Sequence, residues 1–195
     1  MVVGGGGIGE STKSSHKTRI TDLTAISPHF VDGPELEKGI RYPELLVLPD
    51  DTVLITGGSQ DYGDPSSQNF LQARIYDAKT GTMRRVADPE VGRNYPSGSI
   101  LPSEGRVITF GGDSLFADKA KTRPGVFEQR LEIYTPPYLY RDARPSLTSG
   151  PSTVKLGANA TFTSKYASVI KTVRLFPAIA IATATSSRLA GTWSS

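Results

Sequence analysis

Three copies of a short apolar strand that ends in paired glycines constrain the fold of this 195-residue chain more than any other feature. The copies occupy residues 1–5, 53–58 and 107–112, and the first glycines of successive pairs lie 53 and 54 residues apart. A short turn sequence precedes two of the copies, at residues 49–52 and 102–106. Each turn predicts a tight hairpin that leads into a glycine-ended strand.

A second strand is predicted downstream of each glycine pair. These strands begin at Arg19, Ala73 and Leu131, and a turn at residues 79–81 adds one more hairpin to the middle copy. A period of about 50 residues with a double glycine is typical of kelch repeats, in which each repeat forms one four-stranded β-propeller blade. Glycine suits such strands because a residue without Cβ permits close backbone approach. The sequence therefore predicts an all-β fold with about three kelch-type blades over residues 1–140.

The first glycine cluster also satisfies a nucleotide-binding pattern. Gly4, Gly6 and Gly9 match G-x-G-x-x-G, and Asp22 follows at a distance suited to a ribose ligand. That motif requires the third glycine to open a helix with an apolar face. Residues 10–17 are polar throughout, so a dinucleotide site is not expected here.

The C-terminal segment follows a different pattern. Short strands with partial alternation are predicted at residues 152–156, 160–163 and 170–176, separated by Gly and Ser, which is typical of the opening strands of an immunoglobulin-like sandwich. Residues 141–195 carry seven basic side chains and one acidic one, whereas residues 1–140 carry 15 basic and 18 acidic ones. This change in charge balance predicts a domain boundary between the two segments.

Composition excludes several classes of site and partner. The absence of cysteine excludes disulfides, thiolate-bound zinc and a cysteine nucleophile. Two histidines, His16 and His29, leave little for an all-protein transition-metal site, and both lie in polar or proline-rich sequence, where solvation is expected. The longest uncharged apolar stretch, residues 176–182, is far shorter than the ~20 residues of a membrane-spanning helix. A net charge of +3 predicts neither nucleic acid nor a membrane as a partner.

Several longer motifs resemble one known family. Residues 128–140, Glu-Gln-Arg-Leu-Glu-Ile-Tyr-Thr-Pro-Pro-Tyr-Leu-Tyr, followed by Arg144-Pro-Ser, resemble the junction in radical copper oxidases of the galactose oxidase and glyoxal oxidase type. In that family a seven-bladed kelch propeller passes into a C-terminal immunoglobulin-like, early-set domain. Residues 4–10, 49–53 and 91–95 also look like bacterial glyoxal oxidase-like sequences. The resemblance covers roughly the first 176 residues.

The resemblance implies an oxidase chemistry. Members of the family oxidise a primary alcohol or an aldehyde and reduce O₂ to hydrogen peroxide, and they act outside the cell or at its surface. One electron is held by a single copper and the other by a tyrosyl radical. The copper lies among two tyrosines and two histidines, and one of the tyrosines is cross-linked to a cysteine. Such tetragonal N,O ligation suits Cu(II), and the protein tunes the cofactor through its surroundings.

Carried over residue by residue, the resemblance leaves little of that site in this chain. Tyr95 matches the axial tyrosine, but Pro96 stands where the family has a histidine, and proline offers no lone pair to a metal. Ala182 stands at or near the second histidine position. The cysteine and its tyrosine belong to earlier blades, and no cysteine is present. We therefore expect no intact catalytic residue and no copper bound by this chain alone.

The same residues have simpler interpretations. Tyr95 fits a packed or exposed tyrosine at a strand end, in a turn rich in Gly and Asn. Asp77 and Asp113 follow a strand and a glycine pair, where capping a turn is the expected role. No Ser-His-Asp order, metalloprotease helix motif or paired-carboxylate spacing rises above chance.

Three hypotheses of function follow. The first is a truncated oxidase-like protein that is inactive alone, because the chain opens on a glycine strand and its sequence changes character from about residue 177. The second is a non-catalytic kelch-type module that binds a protein or a glycan through its loops. The third is a split enzyme that a complementary chain completes, acting on a small aldehyde or primary alcohol. The substrate is open because most of the family's substrate-facing loops are missing from this sequence, and the location is open because no secretory leader is visible.

Overall fold

A computed structural model describes residues 1–7, 14–60, 71–113, 120, 122–141, 145–155, 157–170 and 173. These residues form ten β-strands in three antiparallel sheets and a short 3-10 helix at Pro137–Tyr140, with no α-helix among them. The predicted all-β class is confirmed. Within the same ranges, no helix has the length and apolar character needed to cross a membrane.

The first sheet has three strands in sequence order. They are β1 (Val2–Val3), β2 (Thr18–Ile20) and β3 (Val31–Asp32). Val2 pairs with Arg19, so the first glycine-ended strand and the strand predicted downstream of it lie side by side. The buried Thr18 hydroxyl donates to the Pro34 carbonyl at 2.7 Å.

The middle sheet has four strands, also in sequence order. They are β4 (Glu44–Val47), β5 (Thr52–Thr56), β6 (Arg74–Asp77) and β7 (Thr82–Arg85). Both predicted turns of this sheet are confirmed by their capping bonds. The Thr52 hydroxyl donates to Asp50 Oδ1 at 2.6 Å in the first turn, and Lys79 N donates to Asp77 Oδ1 at 2.8 Å in the second.

The third sheet has the order β8, β9, β10. Its strands are β8 (Ser97–Ile100), β9 (Val107–Gly111) and β10 (Glu132–Tyr134). The predicted turn between β8 and β9 closes through a 2.9 Å bond from Gly105 N to the Pro102 carbonyl. The glycine-ended strand and the next strand are therefore paired in the same way in all three sheets, as β1–β2, β5–β6 and β9–β10.

Two apolar clusters cover the two faces of the middle sheet. Alternation along β5 and β6 sends Leu54 and Ile75 into one cluster and Ile55 and Tyr76 into the other. The first cluster continues into the third sheet and the second into the first sheet. Full burial of one such side chain contributes about 1.5–3 kcal/mol, so these clusters hold the sheets together. Their buried members are Leu46, Leu48, Leu54, Ala73, Ile75 and Val107 on one face, and Val3, Leu36, Ile40, Ile55 and Tyr76 on the other.

The C-terminal segment differs from its prediction. Residues 152–155 form no strand, and of residues 160–163 only Thr163 pairs, in an isolated bridge with Ser149. Most side chains there are exposed, so partial alternation has no neighbouring strand against which to bury one face. Residues 171–172 and 174–176 of the third predicted strand, and the sequence from 177 onward, lie outside the described residues.

The glycine at the end of β5 gives a test of this architecture. Gly58 has a φ of 89°, and a Cβ there would overlap the Arg41 carbonyl oxygen and meet Ile40 Cγ1 at 2.8 Å. Gly81 also has a positive φ, 67°, but a Cβ there would meet nothing within 4 Å. We expect Gly81→Ala to lower the free energy of unfolding by about 1–2 kcal/mol through the left-handed backbone alone. Gly58→Ala should lower it by about 2–5 kcal/mol, because overpacking adds to the same strain.

Urea denaturation of the two variants, followed by circular dichroism, measures both values. The close approach at Gly58 would be refuted by equal losses in the two variants.

Candidate functional site

Gly58 and Ser59, which follow β5, form backbone hydrogen bonds with two separate segments of the chain. Gly58 N donates to the Arg93 carbonyl at 2.6 Å. Ser59 N donates to the Arg41 carbonyl at 2.9 Å, and Arg41 N donates back to the Ser59 carbonyl at 2.7 Å. Residue 41 leads into β4 and residue 93 leads into β8, so one strand end holds the entrances of two sheets.

These two segments are copies of one sequence. Gly39-Ile-Arg-Tyr-Pro43 and Gly92-Arg-Asn-Tyr-Pro96 share Gly, Tyr and Pro at a spacing of 53 residues. Gly5 and Gly58 have the same spacing, and Gly5 N donates to the Ile40 carbonyl at 2.8 Å as Gly58 N does to Arg93. Tyr42 is therefore the repeat equivalent of Tyr95. It is not among the residues singled out from sequence, although extending the repeat beyond the glycine pairs reveals it.

Repetition brings the two tyrosines into contact. The ring centroids of Tyr42 and Tyr95 are 5.6 Å apart with the planes tilted by 43°, a geometry in the favourable range for aromatic pairs. Tyr95 is 66% exposed and Tyr42 is 40% exposed. Tyr42 has a φ of 54°, which is uncommon for an aromatic residue and typical of functional or over-determined positions. We call Tyr42 and Tyr95 the tyrosine pair.

An asparagine side chain fixes the backbone under the pair. Asn94 is buried, and its Oδ1 accepts a bond from Tyr95 N at 2.7 Å and one from the Ser59 hydroxyl at 3.1 Å. Because Ser59 also bonds the backbone of Arg41, the supports of both rings meet at a single residue.

A hydrogen bond joins two further side chains that stand at equivalent positions of the two repeats. Glu44 and Ser97 occupy the same place in their repeats, two residues after each tyrosine, and the Ser97 hydroxyl donates to Glu44 Oε1 at 3.2 Å. Burial raises the pKa of the Glu44 carboxyl above its usual 4.5, and the bond from Ser97 only partly opposes this.

An ion pair joins the segment that leads into β8 to β10 of the third sheet, with a buried arginine and a glutamate side chain that is 20% exposed. The Arg93 side chain is 2% exposed; its Nη1 donates to the Gly111 carbonyl at 2.9 Å, and its Nη2 lies 3.4 Å from Glu132 Oε2. The other Glu132 oxygen accepts bonds from Glu90 N at 2.7 Å and Val91 N at 3.0 Å. Arg93 Nε is buried without a hydrogen-bond partner among the described residues. Glu132 also lines an open cleft of about 440 Å³ between these sheets.

The other residues predicted from sequence lie apart from the pair or serve local roles. His16 Nε2 is 3.2 Å from Glu35 Oε2, and His29 Nδ1 is 3.2 Å from the Ser27 carbonyl, on exposed chain near the first sheet. Asp77 caps the turn at Lys79 as predicted. Asp113 is exposed, and Gly9 and Ala182 lie outside the described residues.

Among the residues that the structure describes, donors of the kind that the copper site requires are not brought together around Tyr95. In the described ranges no three side chains of His, Cys, Asp or Glu group closely enough to hold a metal ion. The ring beside Tyr95 is a second phenol, Pro96 carries no donor, and the sequence contains no cysteine for a modified tyrosine. These residues do not fit a site of two imidazoles and two phenols, one of them cross-linked.

Comparison with known proteins supports the fold. No protein-family model matches this chain, and no curated protein sequence matches it. Among solved structures, it is similar to one described as a novel fungal alcohol oxidase with catalytic diversity among the AA5 family, in complex with copper. The TM-score is 0.66 at 22% sequence identity, over 84% of this chain and 35% of that one. The chain thus shares the fold of about a third of that oxidase.

The raised pKa of Glu44 predicts how stability depends on pH. A pKa that is higher in the folded state gives a stabilising contribution that is complete below 4.5 and is lost as pH rises through the folded value. Glu44→Gln keeps an acceptor for Ser97 and carries no charge. We expect this variant to be more stable than the wild type at pH 7 and equally stable below pH 4.5.

Urea denaturation at the two pH values measures the difference. A variant that is less stable than the wild type at pH 7 would show that the Glu44 charge is not penalised by burial.

The Arg93–Glu132 ion pair predicts a second and larger effect on the free energy of unfolding. Glu132→Ala leaves a buried guanidinium without its counter-ion and two backbone N–H groups without their acceptor, so we expect a loss of about 3–5 kcal/mol in the free energy of unfolding. Glu104 and Arg106 form a pair at the same N–O distance, 3.4 Å, with both side chains 46% exposed. Glu104→Ala should therefore cost no more than about 1 kcal/mol.

The same denaturation assay compares the two variants. Losses of similar size would mean that the Arg93–Glu132 pair is not desolvated.

Proposed function

We propose that this chain is a scaffold portion of a galactose oxidase-like copper enzyme. Residues 1–140 would fold as kelch-type propeller blades, and residues 141–195 would begin the immunoglobulin-like early-set domain. The observation that carries this proposal is the fold likeness to the fungal alcohol oxidase over 84% of the chain. The recurrence of one strand pairing in three successive sheets supports it as well.

The chain alone is proposed to lack the family's chemistry. In that chemistry a primary alcohol or an aldehyde is oxidised and O₂ is reduced to hydrogen peroxide at a copper centre. Tyr95 is the position that matches the axial tyrosine, while Pro96 and Ala182 stand at or near the histidine positions. Because the donor set around Tyr95 does not fit copper, Tyr95 is not proposed to take part in a catalytic step in this chain.

A complementary chain is the partner that this proposal implies. The matched region is 35% of the fungal oxidase, so most of such an enzyme corresponds to sequence beyond these residues. A polypeptide with the other blades would complete the propeller, cover the outer edge of β10 and bring its own ligands. Such an assembly would act on a small aldehyde or primary alcohol, outside the cell or at its surface as in the family.

The tyrosine pair favours a second candidate, a non-catalytic binding module. Two partly exposed aromatic rings on a backbone fixed by hydrogen bonds are a typical contact surface, since aromatic side chains bury large area at low entropic cost. A protein or glycan partner would then bind the isolated chain at a fixed stoichiometry.

Copper titration tests the first proposal. We add Cu(II) to the purified chain, record electron paramagnetic resonance spectra, and assay peroxide formation from primary alcohols and aldehydes. We expect no stoichiometric tetragonal Cu(II) signal that depends on Tyr95, and no peroxide. A His16→Ala, His29→Ala double variant serves as the control, because imidazoles bind copper adventitiously.

The outcomes separate the candidates. Peroxide formed by the unaided chain, and lost in Tyr95→Phe, would overturn the scaffold proposal. Capture of a protein or glycan at fixed stoichiometry, lost in Tyr95→Ala and without peroxide, would favour the binding module.

A further inference from the structure

The tyrosine pair has a reactivity that neither candidate function uses. We propose that Tyr42 and Tyr95 are a modification site, at which one-electron oxidation joins the two rings in an intramolecular dityrosine cross-link. The proposal does not depend on the oxidase assignment, because it concerns only the contact between these two side chains.

The contact places the two reactive groups together in advance. With ring centroids 5.6 Å apart and planes tilted by 43°, the rings meet without an intervening residue. Exposures of 40% and 66% leave both rings open to a small oxidant. Tyr140 is more exposed, 78%, but no ring contact joins it to another tyrosine of the described ranges. Exposure alone therefore does not distinguish Tyr42 and Tyr95 as a cross-linking site. The contact between their two phenol rings does.

The backbone preserves this arrangement. Tyr42 follows a residue that exchanges two hydrogen bonds with Ser59, and Tyr95 N is bonded to the Asn94 side chain that Ser59 also contacts. Both rings are thus anchored to one short segment beyond β5. A reaction between groups held in this way is effectively unimolecular, which favours coupling within the chain over coupling between chains.

The reaction balances with hydrogen peroxide and a haem peroxidase as the oxidising system. Each phenol gives up one electron and one proton and becomes a phenoxyl radical. The ring carbons ortho to the two oxygens form a bond, and each ring then loses the hydrogen of its coupling carbon to the oxygen, which restores the phenol. In total the protein loses two hydrogen atoms, and one peroxide is reduced to two waters.

The cross-link would act as a covalent staple. Its two ends are 53 residues apart in sequence and join the entrances of β4 and β8. Closing a loop of this length restricts the unfolded chain as a disulfide does, so the cross-linked protein should unfold at a higher temperature than the untreated protein.

Peptide mapping of the oxidised full chain tests the proposal. The dilute protein is treated with peroxide and peroxidase, the monomer is isolated, and trypsin then releases Tyr42 in peptide 42–74 and Tyr95 in peptide 94–106. We expect these peptides to appear joined, lighter by two hydrogen atoms, with dityrosine fluorescence and a raised unfolding midpoint. Tyr42→Phe and Tyr95→Phe should each reduce the joined peptide to background, and the matched control Tyr140→Phe should leave it unchanged.

Two controls make each outcome decisive. Phenylalanine keeps the ring packing, and circular dichroism verifies that each variant is folded. Oxidation in urea should abolish the joined peptide, because the folded backbone holds the rings together. Joining that persists in urea or in Tyr42→Phe, or tyrosine coupling found only between chains, would overturn the proposal.

Discussion

Hydrogen bonds from the glycine-ended extension of β5 hold the entrances of β4 and β8, and the arrangement of the sheets depends on them. They form because Gly58 takes a left-handed backbone and lacks a Cβ, so the carbonyl of residue 41 can approach to a distance that a side chain would forbid. Each bond contributes only about 1 kcal/mol net. Apolar burial therefore supplies most of the stability, while the glycine contacts determine which segments lie next to each other.

The buried Arg93–Glu132 pair belongs to the same junction. The Arg93 carbonyl accepts the bond from Gly58, and its guanidinium reaches across to Gly111 and Glu132 in the third sheet. A buried pair of this kind adds little net stability compared with apolar packing, but it strongly penalises any arrangement that leaves one charge alone. It therefore helps to fix the segment that leads into β8 against β9 and β10, while the apolar cluster around Leu54 and Val107 joins the third sheet to the middle sheet.

Local sequence patterns predicted the strands well, but they could not predict contacts between residues that are far apart in the sequence. The glycine-ended strands, their hairpins and the Asp77 cap follow from turn chemistry and alternation within a few residues. Contact between Tyr42 and Tyr95 depends on two sheets lying side by side, and contact between Arg93 and Glu132 depends on the segment before β8 folding back toward β10. Neither residue of a pair carries a local signal for the other. The strand predicted at residues 152–156 is not formed at its described residues, 152–155, for the related reason that alternation forms a strand only where a neighbouring strand accepts it.

The repeat also bears on how Tyr95 should be interpreted. A copper ligand is expected at one repeat only, because a single ion has a single set of donors. Tyr95 instead has a counterpart in Tyr42 with the same following proline, the same spacing from the glycine strand and the same place before the first strand of a sheet. A proline thus follows the tyrosine in both copies, as Pro43 and Pro96. This favours the interpretation of Tyr95 as a repeated structural position whose contacts are set by its neighbour Tyr42.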